Sequence, residues 1–69
     1  MNDPQFKALA KLLRMREGPA KEAVRLVLVY HYETADAARE VGMEYQAAHQ
    51  AVKRVRAGLE LAKIAAGNS

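Results

Sequence analysis

The stretch Thr34–Val55, TADAAREVGMEYQAAHQAVKRV, decides how the rest of the chain is read. Apolar or small residues fall at Ala37, Ala38 and Val41 before Gly42, and at Met43, Ala48, Ala51, Val52 and Val55 after it. A small residue at Ala38, four before the glycine, lets two helices approach closely, and glycine accepts the positive φ of a tight turn between them. On the second helix Gln46, His49, Gln50 and Lys53 recur at i, i+3, i+4 and i+7, so they share one face. Ala48, Val52, Val55 and Leu59 follow the same spacing about half a turn away. One face is packed and the other offers hydrogen-bond donors and acceptors. The pattern predicts a helix-turn-helix over residues 34–55.

Upstream, Asp3-Pro4 predicts a helix start, with a carboxylate N-cap followed by a proline that has no amide hydrogen to lose. Phe6, Leu9, Leu12, Leu13 and Met15 then form an apolar side, with Lys7, Lys11 and Arg14 opposite. Gly18-Pro19 is expected to end this helix and open the next, which runs from Pro19 to Val29 or His31. Residues 23–29, apolar nearly all round except for Arg25, mark this as the central helix. VLVY at Val27–Tyr30 has the β-branched content of a strand, but there is no second strand for it to pair with. Residues 30–33 form a linker, and Glu33 or Thr34 caps the third helix. Glu44 stands where Ser or Thr more commonly caps a reading helix. Its charge there suits the helix dipole or a cytosine amino group.

From Tyr45 the helical pattern continues to about Ala66, with Gly67-Asn68-Ser69 as a tail. Gly58 costs roughly 1 kcal/mol against alanine inside a helix, so the pattern either continues past it or is kinked or broken there, the break leaving a C-terminal helix over residues 59–66. Leu61, Ile64 and Ala65 lie away from the stripe of Val52 and Val55. They either pack on the first helix or form a dimer interface. The dimer is the preferred reading, because it supplies the apolar burial that so small a domain lacks. The expected architecture is thus all-α, a homodimeric domain of four to five helices.

At 69 residues the chain is a single domain, with a core small enough for oligomerisation to be a usual remedy. The absence of cysteine removes disulfides and thiolate metal sites. The most apolar stretch, residues 23–32, contains Arg25 and is too short to span a bilayer. MNDPQF lacks the basic-then-apolar layout of a signal peptide, so the expected location is the cytoplasm.

The net charge is +3, and its distribution says more than its total. Residues 1–32 carry six cations and three anions, residues 33–44 one and four, and residues 45–69 four and one, leaving +3, −3 and +3. The positive charge sits on the reading helix and the N-terminal helices, as a phosphate-facing surface requires. No catalytic constellation is present: there is no Gly-rich phosphate loop, the only serine is Ser69, and Glu40 and Glu44 have no acid/base partner. His31 and His49 lack metal-ligand spacing, so no metal, cofactor or small-molecule effector is expected.

VLVYHYETADAAREVGMEYQAAHQAVKRVR, in particular VLV at Val27–Val29, Ala38 with Gly42, and QAVKRV at Gln50–Val55, resembles the TrfB/KorA-type transcriptional repressors of plasmids. The resemblance covers about residues 20–57. It implies dimeric binding to palindromic operators and the silencing of plasmid promoters. The chain departs from the general motif at Ala48, where valine is favoured, at His49, where serine is common, and at Glu44-Tyr45, where Ser/Thr-Arg is common. These departures imply a different operator. The long C-terminal dimerisation region of larger members is missing, so residues 59–66 or the first helix take that role.

With the fourth helix in a major groove, Tyr45, Gln46, His49, Gln50 and Lys53 point to base edges. Glutamine suits adenine, lysine suits guanine, and tyrosine or histidine can pack on a thymine methyl. Arg54 and Arg56 flank that face toward phosphates, as do the backbone amides near Thr34 and the side chain of Tyr32 or His31. Two such helices related by a two-fold axis read half-sites about 34 Å apart. The rival expectation is a helical protein-interaction module, an adaptor or antitoxin-like partner using Leu61 and Ile64.

Overall fold

Asn2, rather than Asp3, caps the first helix. Its side-chain oxygen accepts from the Gln5 amide at 2.8 Å, and the Gln5 side chain accepts from the Asn2 amide at 2.9 Å. This reciprocal pair satisfies two orphan donors at once and moves Asp3 into the first turn. The computed structural model describes residues 1–67, so the expected tail residues Asn68 and Ser69 lie outside the described residues. The chain forms α1 (Asp3–Leu12), α2 (Pro19–Leu28), α3 (Thr34–Val41) and α4 (Tyr45–Ala65), with no strand among the described residues.

α1 ends before Gly18, contrary to expectation. Arg14 takes the left-handed conformation at φ +54°, its amide donates to the Lys11 carbonyl at 3.1 Å, and the Met15 amide reaches back to Ala10 at 2.9 Å. That is a Schellman closure with arginine in glycine's usual place. Burial of Ala10 and half-burial of Met15 hold the chain there. Gly18 instead precedes Pro19 as the N-cap of α2. α2 closes at Leu28, short of His31. His31 is left-handed at φ +61°, which lets the amides of Tyr30 and Tyr32 both donate to the Leu26 carbonyl. Val27 and Leu28 are therefore helical, and Val29–Tyr30 form a helix end rather than a strand.

α2 packs against all three other helices and is the axis of the core. It contributes Ala23, Val24, Leu26 and Val27, facing Phe6, Leu9 and Ala10 of α1, Ala37 and Ala38 of α3, and Ala48, Val52 and Val55 of α4. The alanines among these keep the helix backbones close, where larger side chains would hold them apart.

α4 runs unbroken through Gly58, so there are four helices among the described residues and residues 59–66 are not a helix of their own. The glycine is there for space. A Cβ at Gly58 would stand 3.0 Å from Cδ2 and 3.1 Å from Cδ1 of Leu13, whose side chain rests on this point of α4. The 21 residues of α4 give a rod of roughly 31 Å. The molecule measures 39 × 21 × 20 Å, so the rod is longer than either of its two shorter dimensions.

Candidate nucleic-acid interface

Gly42 makes the corner between α3 and α4. It sits at φ +75° and ψ +32°, its amide donates to Arg39 at 3.3 Å, and the Met43 amide donates to Ala38 at 2.8 Å. Two backbone bonds thus close α3 within one residue, and half-buried Met43 anchors the turn. Glu44 is then extended and opens α4 without a side-chain cap bond. Glu33 plays the same part for α3, also without a side-chain bond, so the first amides of α3 remain available to another acceptor.

With Ala48, Val52 and Val55 buried, the opposite side of α4 is set by helical periodicity. Gln46, His49, Gln50 and Lys53 are all exposed on it, and Tyr45 is 50 % exposed at its edge. The rings of Tyr45 and His49 stack, with centroids 5.7 Å apart and planes 20° from parallel. Sequence reasoning missed this i, i+4 pairing, although the spacing that permits it was in plain view. It joins two separate side chains into one flat aromatic unit at the start of the helix.

Arg54 and Arg56 are exposed, and two residues apart they leave α4 on opposite sides. No carboxylate lies within ion-pairing distance of either among the described residues. Arg39 on α3 differs, being paired with Asp36. Thr34 is half-buried as the first residue of α3, and Tyr32 is exposed just before it. Leu61 and Ile64 are respectively 67 % and 66 % exposed, and Ala65 is exposed beside them. Ala57, Leu61 and Ile64 follow Gln50 at 7, 11 and 14 positions. They continue the outward line of Gln46 and Gln50 down the same helix.

Tyr30 belongs to a different assembly. Its hydroxyl donates to Asp3 Oδ2 at 2.7 Å, while Arg25 donates to Asp3 Oδ1 at 3.0 Å and to Glu22 Oε1 at 2.6 Å. The Arg25 guanidinium also lies 5.2 Å from the Tyr30 ring centre. The Tyr30 hydroxyl first, and Arg25 second, hold the Asp3 carboxyl below the usual carboxylate range; Arg25 does the same to Glu22. The four side chains tie the start of α1 to α2.

No described helix is long and apolar enough to cross a membrane, and no group of three His, Cys, Asp or Glu among the described residues could hold a metal ion. No curated protein and no solved structure matches the chain. A family model does, over residues 1–67 and so across nearly the whole of it. With four helices among its described residues, a glycine corner at Gly42 and a match over nearly its whole length, the chain belongs to the TrfB plasmid transcriptional repressor family.

Proposed function

We propose that the chain represses plasmid promoters by binding palindromic operators as a homodimer, with the first half of α4 in the major groove. The observation that carries this reading is the division of α4 right after the Gly42 corner: Ala48, Val52 and Val55 are buried, while Gln46, His49, Gln50 and Lys53 are exposed together. Gln46 and Gln50 then address adenine, Lys53 guanine, and the Tyr45–His49 unit a thymine methyl. Arg54, Arg56, Tyr32 and the Thr34 end of α3 hold phosphates on either side. No chemistry is required, since an occupied promoter excludes polymerase.

Leu61, Ile64 and Ala65 form the dimer contact. The centre of the reading residues lies about 20 Å along α4 from the midpoint of Leu61 and Ile64, at 1.5 Å per residue. Two such arms span at most ~40 Å, enough to place two reading helices ~34 Å apart when they meet at an angle.

The experiment is a binding comparison on operator and random duplexes. Gln50→Ala weakens operator binding by about 1–3 kcal/mol and leaves random DNA nearly unaffected. Arg54→Ala or Arg56→Ala weakens both and flattens the salt dependence, with the slope falling by about one for each phosphate that is no longer neutralised. Equal losses on all sequences for Gln50→Ala would remove it from base readout.

A further inference from the structure

Beside the reading face, between the α1–α2 corner and the side of α4, runs an open groove of about 660 Å³. Its rim carries Arg14, Arg16, Lys21 and Arg54, with no acidic residue in the lining. Lys21 is paired with Glu17 at 2.6 Å, but the three arginines have no carboxylate within ion-pairing distance among the described residues. The floor is apolar: Leu13 lies across Gly58, Val55 lies beneath, and Leu61 stands at the far end. The left-handed turn at Arg14 brings Arg14 and Arg16 round onto this side of the molecule.

We propose that this groove docks an acidic amphipathic helix of another protein, which seats its apolar side on the half-buried Leu13 and Met15 and sets its carboxylates against the arginine rim. The floor distinguishes this occupant from nucleic acid. A phosphate backbone gains from the four cations but nothing from a leucine floor, whereas an amphipathic helix buries one and neutralises the other. The groove meets the proposed dimer contact only at Leu61; Ile64 and Ala65 lie outside it. Arg54 is shared with the phosphate edge of the reading face, so docking and DNA binding adjoin each other without either requiring the other.

The test uses the full chain, labelled with nitrogen-15, and three probes. These are a synthetic peptide of about 16 residues with leucines at i, i+3, i+4 and i+7 among glutamates, a scramble of the same composition, and a short random duplex. The patterned peptide shifts the amide resonances of Leu13, Met15 and Gly58, and the scramble does so only at much higher concentration. Arg16→Glu, an exposed change outside the reading face, weakens patterned-peptide binding about tenfold. Equal binding of patterned and scrambled peptides, or no shift at the floor residues, overturns the proposal. So does a random duplex that moves the same floor resonances and loses affinity with Arg16→Glu, which would assign the groove to nucleic acid.

Discussion

Arg25 shows how much a single side chain can organise on a surface this small. It touches two carboxylates and an aromatic ring, and through Asp3 it secures the first turn of α1. Asp3 and Glu22 both titrate below their ordinary range in the folded chain. Depressed carboxyls add stability above their unfolded pKa values, about pH 4, and lose it as pH falls through the folded values. Arg25→Ala therefore destabilises the protein at pH 7, and the gap from the unsubstituted chain narrows below about pH 4. Thermal unfolding of both proteins at pH 7 and pH 3 measures this; a gap of constant size would show that the network contributes through packing alone. At the same scale, Tyr45 and His49 gain a property neither has singly. A stacked pair presents a fixed plane, where two free rings would each have rotamers to lose on binding.

At the scale of elements, the corner at Gly42 was legible because its requirements are local. A glycine four residues after Ala38, followed by a helix with buried and polar faces, leaves few alternatives. The ends of α1 and α2 were not legible for the opposite reason. Arg14 and His31 occupy a left-handed conformation that costs a non-glycine residue roughly 1 kcal/mol or more, and no local rule selects them. At Arg14 the cause is tertiary, since Met15 packs against the core after it, while at His31 the amides of Tyr30 and Tyr32 both close on the Leu26 carbonyl. Whether Gly58 breaks the helix stayed open in the sequence for a related reason, since its partner Leu13 lies far away in sequence. Alanine at Gly58 gains about 1 kcal/mol of helix propensity but must push the end of Leu13 aside. Gly58→Ala alone should thus change stability little, and the same substitution in a Leu13→Ala background should add about 1 kcal/mol. Denaturant unfolding of the four proteins reads the coupling directly; identical effects in both backgrounds would mean that Leu13 places no constraint on Gly58.

For the whole molecule, the polar face of α4 was legible because helical periodicity alone puts Gln46, His49, Gln50 and Lys53 on the side away from Val52 and Val55. The basic groove was not, since Arg14, Arg16 and Arg54 come together only through the packing of α1, α2 and α4. The outward line of α4 begins polar and ends apolar, which favours DNA for its first half and a second copy for its last. A dimer held by so short a strip has a stability that depends on concentration. Leu61→Glu should give a monomer by sedimentation and lower operator affinity while leaving the helical content unchanged. An unchanged mass would move the dimer contact to α1, where Leu12 is 65 % exposed.

The most direct test is to select the protein's preferred sequences from a randomised duplex library. Two α4 helices reading DNA about a two-fold axis select an inverted repeat with half-site centres about 10 base pairs apart, lost when Gln50 is replaced by alanine. Recovery of no preferred sequence, or of sites without two-fold symmetry, would contradict it.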